Sequence, residues 1–168
     1  MKPHAIIRAL EPEDLDELYT IENDDRIWNV GQTNVPYSRY ALHDYIANAS
    51  TDIYADKQVR MVIADERGNL VGMVDVMNFD PRHRRAELGI VVKEAERHKG
   101  YGRFAIETVL GYARNCWHLN QLYAIIDAQN ADSVKLFESM GFSCSSTLKS
   151  WLFDGKNYRD ALLMQTFF

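Results

Sequence analysis

Two strand-to-helix steps follow one another in the second half of the chain, and they constrain its fold more than any other feature. The apolar run 85–93 leads through a glycine-containing loop at 97–102 into an amphipathic helical pattern. A second apolar run, 121–127, leads through Asn130 into another helical pattern at 131–140, which is followed by Gly141. A strand, a helix and a strand in this order form a parallel pair joined by a crossover helix. The chain therefore predicts a sheet that contains a parallel pair.

The other segments predict antiparallel strands and two helices near the N-terminus. Short apolar or β-branched runs mark five further strands, at 5–9, 59–65, 70–78, 143–153 and 158–168. A proline followed by acidic residues opens a helical pattern at 12–23, and a second helical pattern covers 39–49. Turns that contain glycine join the strands of the two hairpins. The order of elements predicts an α+β fold whose mixed sheet is largely antiparallel.

Composition limits the classes of protein to which the chain can belong. It has 168 residues, enough for one domain with a buried core, and 19 basic against 24 acidic residues give a net charge of −5. A net acidic chain is a poor non-specific partner for nucleic acid, and no apolar run approaches the roughly 20 residues of a membrane span. Two cysteines and five histidines show no metal-ligand spacing, and the N-terminal residues lack the apolar region of a secretion signal. We therefore expect one cytoplasmic domain, residues 1–168, that binds no metal, nucleic acid or membrane.

The loop at 97–102 carries the first chemical signal. It places Gly100 and Gly102 at the start of a helix, where unpaired backbone N–H groups and the positive end of the helix dipole can face an anion. Glycine lets a phosphate approach the backbone closely, and Arg97, Lys99 and Arg103 add positive charge to an acidic chain. The loop lacks the Gly-Lys-Ser/Thr ending of P-loops and the spacing of the dinucleotide fingerprint. On its own, it fits a pyrophosphate site and a solvated basic turn equally well.

Together with the second step, this loop resembles the signature motifs of the GNAT superfamily of N-acetyltransferases. The matching residues are Arg97, Gly100 and Gly102 in the cofactor loop, and Asn130, Gly141 and Phe142 in the later motif. The stretches 82–87 and 154–160 are similar to those of the spermidine/diamine and ribosomal-protein N-terminal acetyltransferases. The resemblance covers nearly the whole chain. It implies a single acyl-CoA N-acyltransferase domain, with helices on both faces of the sheet and two parallel strands that splay apart at the cofactor.

The resemblance also implies that acetyl-CoA lies between strands 85–93 and 121–127. In this family, the first strand contacts the pantetheine arm and the acetyl carbonyl, the loop holds the pyrophosphate, and the asparagine contacts the arm. The corresponding residues are Ile90, Val91, Val92, Arg97, His98, Lys99, Gly100, Tyr101, Gly102 and Asn130. A backbone N–H group directed at the acetyl oxygen stabilises the tetrahedral intermediate of acyl transfer.

The acceptor amine brings its own requirement. An alkyl amine with a pKa near 10 arrives protonated, so the site must remove a proton before the nitrogen can attack. Glu87 is the candidate base, because it shares a strand face with Gly89 and Val91 and a carboxylate on an apolar strand needs a partner. The matching acid in spermidine acetyltransferases supports this role. The alternative is a structural salt bridge between Glu87 and Arg84 or Arg85.

Three residues are candidates for binding the acceptor, namely Glu22, Trp28 and Tyr37. Glu22 begins an acidic group with Asp24 and Asp25, at a place where the similar enzymes have substrate-facing loops. A solvated helix end is the alternative for this group. Trp28 and Tyr37 lie in an irregular segment and are candidates for lining the acceptor pocket, although most aromatic residues of the chain follow helical spacing and predict core positions.

One position departs from the pattern of the family. Many members carry a tyrosine seven residues after the asparagine, where it protonates the departing CoA thiolate, and this chain has Phe137 there. A thiolate is a tolerable leaving group, so the loss of this acid need not abolish turnover. Tyr101, Ser133 and Tyr158 remain open as alternative proton donors.

These observations predict acetyl transfer from acetyl-CoA to a primary amine, with a polyamine or diamine such as spermidine as the first hypothesis. Acidic loops favour a polycation, whereas a broad neutral groove would favour the rival acceptor, a protein N-terminus. The missing tyrosine raises a third hypothesis, a non-catalytic module that binds acyl-CoA without turnover. Because members of this type often form dimers or larger rings, a homo-oligomer is a further expectation.

Overall fold

The fold is given by a computed structural model, which describes residues 3–27 and 35–168. The strands are β1 (Ala5–Ala9), β2 (Val59–Asp65), β3 (Leu70–Asp80), β4 (Arg85–Val92), β5 (Gln121–Asp127), β6 (Ser143–Phe153) and β7 (Tyr158–Phe167). The α-helices of the described ranges are α1 (Leu15–Glu22), α2 (Arg39–Asn48), α3 (Ile53–Asp56), α4 (Tyr101–Asn115) and α5 (Ala131–Ser139). Apart from the short α3, these elements follow the predicted order.

All seven strands belong to one sheet, in the order β1-β2-β3-β4-β5-β7-β6. Neighbouring strands are antiparallel except β4 and β5, which are parallel. The parallel pair is the one that α4 connects, as a crossover between parallel strands requires. The prediction of an α+β fold with a mixed, largely antiparallel sheet is confirmed.

The sheet separates two hydrophobic cores, because successive side chains of a strand point to opposite faces. In β2, Val62 and Ala64 pack with Leu18 and other residues of α1 and α2. Between them, Ile63 packs on the opposite face with Ile106 and other residues of α4 and α5. Helices therefore cover both faces, as predicted.

Two predicted elements differ from the structure by more than one residue at one end. The helix predicted at 12–23 has its α-helical part from Leu15, because Pro12–Asp14 form a turn of 3-10 helix. The strand predicted at 70–78 continues to Asp80 across an irregularity in its pairing with β4. The four-residue helix α3 was not predicted, since a single turn is too short to show a hydrophobic period.

Candidate active site

The parallel strands β4 and β5 separate soon after they begin. They pair at three successive positions, from Arg85 with Gln121 to Glu87 with Tyr123. Beyond this point, residues 88–92 continue their pairing with β3 but not with β5. A cavity of about 880 Å³ opens at the fork and extends over the sheet face toward α1 and α2. The splayed strands that the resemblance implied are therefore present at 85–92 and 121–127.

The first turn of α4 forms one wall of the cavity. Gly100 precedes the helix with φ +91°, a conformation that favours glycine, and Phe104 N–H donates the first helical hydrogen bond to Gly100 C=O at 3.0 Å. The N–H groups of residues 101–103 come before this bond, so they have no acceptor within the helix. Arg97 Nε donates to Val92 C=O at 3.2 Å and ties the loop to the end of β4. This geometry suits an anion at the helix N-terminus.

The two glycines of the loop have different reasons to be glycine. A Cβ atom at Gly102 would lie 3.0 Å from Leu136 Cδ2 and 3.7 Å from Ile90 Cδ1. Gly102 therefore allows α4 to pack closely against α5 and β4. Gly100 is needed for its positive φ, and a Cβ there would also lie 3.1 Å from Pro3 Cδ. Sequence reasoning had assigned both glycines to the approach of a phosphate.

Nine of the ten residues predicted to bind the cofactor line the cavity: Ile90, Val91, Val92, Arg97, His98, Gly100, Tyr101, Gly102 and Asn130. The exception is Lys99, whose Nζ forms an ion pair with Glu96 Oε2 at 2.9 Å. Arg103, whose charge the sequence analysis counted with the loop, lines the cavity too. Asn130 also caps α5, because its Oδ1 accepts from Ser133 N–H at 3.1 Å.

The opposite end of the cavity is built around a half-buried ion-pair network. Arg60 on β2 donates from Nε and Nη2 to the two carboxylate oxygens of Asp75 on β3, at 2.6 and 3.1 Å. Its Nη1 donates to Glu22 Oε1 at 2.5 Å. Burial disfavours the charged guanidinium, but the two carboxylates outweigh it and raise the pKa of Arg60 above its usual value. The ring of Tyr45 lies beside this guanidinium, 6.0 Å from Cζ to the ring centroid, and burial raises its pKa.

Of the residues predicted to bind the acceptor, Glu22 and Tyr37 line the cavity, while Trp28 lies outside the described residues. Glu22 is not a solvated helix end, because its side chain is only 12% exposed and is paired with Arg60. Asp24 is directed elsewhere, toward Arg26, which also pairs with Glu94.

The acidic group at 22–25 therefore does not act as one free patch. Arg26 holds the pKa of Asp24 below its usual value. Of the three acids in the group, only Glu22 faces the cavity.

Sequence reasoning missed Arg60 and Asp75. Each is a charged residue with apolar neighbours on both sides in its strand, which is the signal that could have identified them. Arg60 stands opposite Asp75 in the β2–β3 pairing, so an alignment of the two strands of this hairpin also predicts their contact.

Glu87 lies at the last paired position before the fork and lines the cavity. Its Oε2 accepts a hydrogen bond from Asn78 Nδ2 at 2.8 Å. The two arginines proposed as alternative partners are engaged elsewhere: Arg84 Nε donates to His118 C=O at 2.7 Å, and Arg85 pairs with Asp80 at 3.4 Å. The partner of Glu87 is thus the neutral amide of Asn78 and neither of the two arginines. Its role as the base stays a prediction.

Phe137 is part of the core. It is 2% exposed and packs edge-to-face on Phe142, with 5.0 Å between ring centroids. Of the alternative proton donors, Tyr101 and Ser133 line the cavity, whereas Tyr158 is 68% exposed on the terminal hairpin. The first two remain candidates for the proton donor.

In residues 3–27 and 35–168, His, Cys, Asp and Glu side chains form no group of three or more that could hold a metal ion. None of the described helices combines the length and apolarity needed to cross a bilayer. That the protein needs no metal stays a prediction.

Comparison with known proteins agrees with this geometry. Residues 4–143 match the acetyltransferase (GNAT) domain family. The chain is 27% identical over 164 residues to a spermidine N(1)-acetyltransferase of Vibrio cholerae, covering 98% of this chain and 93% of that protein. The crystal structure of a Vibrio cholerae spermidine N-acetyltransferase in complex with CoA and spermine superposes with a TM-score of 0.86 at 27% identity, covering 98% and 95% of the two chains.

A dodecameric spermidine N-acetyltransferase structure from the same organism has a TM-score of 0.82 at 28% identity, covering 98% of this chain and 94% of that one. The family match spans most of the sequence and includes the fork, the loop at 97–102 and Asn130. The chain therefore belongs to the GNAT acetyltransferase family.

Proposed function

We propose that the protein transfers the acetyl group of acetyl-CoA to a primary amine of a polyamine or diamine such as spermidine. The observation that carries this proposal is one continuous cavity that joins the fork of β4 and β5 to an acidic end under α1 and α2. A cavity with these two ends can hold a thioester and a cationic amine at the same time. The spermidine acetyltransferases to which the chain is similar support the choice of acceptor.

The residues at the fork suit acetyl-CoA. The pyrophosphate would lie on the N-terminus of α4, near Arg97 and Arg103, and the pantetheine arm would pair with the backbone of residues 90–92. An ordered thioester makes attack by the amine effectively intramolecular. Backbone N–H groups at the fork would stabilise the oxyanion that forms on the acetyl oxygen.

Glu87 would accept the first proton of the ammonium group, directly or through a water molecule. The free amine nitrogen then attacks the acetyl carbon and forms the C–N bond. The C–S bond breaks, and its electron pair leaves with the CoA sulfur. The nitrogen loses a second proton, the thiolate gains one, and the products are the acetylated amine and CoA thiol.

The charge at the acceptor end favours a cation. Among the described residues that line this end, three carboxylates, Glu22, Asp75 and Glu87, accompany one guanidinium, Arg60. A cavity with excess negative charge concentrates a polyamine and disfavours neutral acceptors. This charge balance is the reason to place the polyamine ahead of a protein N-terminus.

We further propose that residues 1–168 act as one acyl-CoA N-acyltransferase domain, without a metal, in the cytoplasm and as a homo-oligomer. Cys116 and Cys144 are both exposed and free, as suits a reducing compartment. The terminal hairpin β6–β7 exposes Trp151, Phe153 and Tyr158, each by more than half. An aromatic surface of this kind is typical of an interface. Light scattering coupled to size-exclusion chromatography measures the oligomeric state.

Release of CoA thiol tests the proposed function, with spermidine and with a short Ser- or Ala-initiated peptide as separate acceptors. Turnover with spermidine alone is expected. Turnover with the peptide alone would replace the polyamine by a protein N-terminus. Binding of acetyl-CoA without turnover on any amine would leave a binding module. Such binding raises the free energy of unfolding by about 2.7 kcal/mol at 100 times the Kd.

A further inference from the structure

The irregularity in β3 changes which side chains face the active site. Val74, Val76 and Phe79 all pack into the core under α4, so the period of two becomes a step of three after Val76. In the pairing with β4, Met77 stands opposite Glu87, and the next paired residue is Asp80. An extra residue inserted in this way is a β-bulge, which redirects a side chain.

The residue redirected by this bulge is Asn78. Regular alternation would place Asn78 on the same face as Val76, in the core. Instead, Asn78 has φ +49°, a left-handed conformation that asparagine tolerates better than most residues. Its exposed side chain reaches the face of Glu87 and donates from Nδ2 to Glu87 Oε2 at 2.8 Å.

A third side chain completes this group. Tyr123 on β5 stands beside Glu87 at the last paired position of the fork. Both side chains lie on the face opposite to the core residues Leu122 and Ala124. Asn78 therefore connects β3 to β4 at the point where the two parallel strands separate, next to Tyr123 on β5.

We propose that Asn78 is a positioning residue for Glu87, held by the bulge so that its amide fixes the carboxylate at the mouth of the fork. This inference rests on the proposed function, in which Glu87 is the base. Asn78 makes no contact with substrate in this scheme. It fixes one carboxylate oxygen and thereby directs the other toward the amine.

The charged and titratable neighbours of Glu87 are compatible with this role. Burial, and after it the charge of Glu87, raises the pKa of the Tyr123 phenol, so Tyr123 remains a neutral hydroxyl at physiological pH. Arg85 lies two residues earlier on β4 and is paired with Asp80. Asp75 lies on the same face of β3, two residues before Met77, and is paired with Arg60. Asn78 is thus the described residue that donates a hydrogen bond to Glu87 across the strands.

Two substitutions test the proposal without straining the backbone. Asn78→Gly keeps the positive φ and removes the amide, and we expect kcat with spermidine to fall about ten-fold while the KM for acetyl-CoA stays unchanged. Asn78→Asp keeps the size but places a second carboxylate beside Glu87. Because two adjacent carboxylates share a proton, the acidic limb of the kcat/KM profile should move about one pH unit upward.

Thr51→Gly is the matched control, since Thr51 also has a positive φ (+58°) but lies in an exposed turn away from the cavity. It should leave kcat and the pH profile unchanged. If the wild type acetylates spermidine and both Asn78 variants keep its kcat and its pH profile, this inference is wrong while the proposed function stands. A lower melting temperature of the Asn78 variants with an unchanged pH profile would also overturn this inference, because it indicates a merely structural role. No turnover of any amine by the wild type would overturn the proposed function and this inference with it.

Discussion

The two ends of the cavity are built in different ways. At the cofactor end, the important groups belong to the backbone of a short stretch, namely the end of β4, the loop and the first turn of α4. At the acceptor end, they are charged side chains from three separate elements, Glu22 on α1, Arg60 on β2 and Asp75 on β3. Backbone groups change little with side-chain identity. The cofactor end can therefore stay the same while the acceptor end changes with a few substitutions.

The largest expected effect concerns Glu87, where the two ends meet. Glu87→Gln should lower kcat with spermidine about 100-fold at neutral pH, because a positioned general base contributes at least this much. The loss should shrink toward pH 10, where more of the amine is already deprotonated. Initial rates between pH 6 and 10 measure it. Glu66→Gln, in an exposed turn of the β2–β3 hairpin, is the control. An equal rate for Glu87→Gln and wild type across this range would exclude Glu87 as the base.

The next effect isolates the cofactor end. Gly100→Val places a β-branched residue at φ +91° and should weaken acetyl-CoA binding about 100-fold, because the first turn of α4 can no longer keep its geometry. Calorimetric titration with acetyl-CoA measures this change. Gly155→Val is the matched control, since Gly155 has φ +94° in the β6–β7 turn and nothing within 4 Å of its Cβ position. If both variants kept the wild-type affinity, the cofactor would not lie on this helix.

A smaller effect is expected at the acceptor end. Asp75→Asn removes one carboxylate from the network around Arg60 and should raise the KM for spermidine about ten-fold, with the KM for acetyl-CoA unchanged. Steady-state kinetics at low and high salt measure both constants, and the difference from wild type should narrow at high salt. Asp44→Asn on the exposed face of α2 is the control. A change in the KM for acetyl-CoA, with the KM for spermidine unchanged, would contradict the separation of the two ends.

The smallest effect lies outside the cavity. Burial disfavours the charge of Asp14, but two hydrogen bonds from Arg8, at 2.7 and 2.8 Å, and one from Glu11 N–H outweigh it and lower the pKa of Asp14. A carboxyl with a lowered pKa stabilises the fold above its unfolded pKa, near 4, and loses this contribution as the pH falls through the folded value.

Asp14→Asn should therefore reduce the free energy of unfolding by about 1 kcal/mol at pH 7 and by less below pH 4, as urea unfolding would show. Glu13→Gln, in the same turn, should have little effect. A difference between Asp14→Asn and wild type that did not depend on pH would refute the ion pair as its source. Because Asp14 lies outside the cavity, kcat and the KM for spermidine should stay unchanged.

Most of the fold and the cofactor end were predictable from the sequence. The strands 59–65 and 121–127 match their predicted bounds, and α2 and α5 differ by one residue. Nine of ten predicted cofactor residues line the cavity. These features depend on local patterns, because a glycine loop before a helix or an apolar alternation is contained in a few adjacent residues. Lys99 is the predicted cofactor residue that does not line the cavity, because it pairs with Glu96, a partner that the prediction did not consider.

The acceptor end was less predictable. Its acidic group at 22–25 was identified, but not the pairing that directs Glu22 to Arg60 and Asp24 to Arg26. Charged side chains choose partners by distance in space, and Arg60 is 38 residues from Glu22 in the chain. The bulge at Asn78 was also missed. The step of three from Val76 to Phe79 can be recognised only when Phe79 is known to be buried.

The sequence by itself determined the alternation of strands and helices, the parallel pair and the glycine loop before α4, since each follows from neighbouring residues. The tertiary structure alone decided that Phe137 is buried against Phe142, that Arg60 joins Glu22 to Asp75, and that a bulge brings Asn78 to Glu87. The physical reason is range. Backbone conformation depends mainly on adjacent residues, whereas ion pairs, ring contacts and redirected side chains depend on which distant segments the sheet brings together.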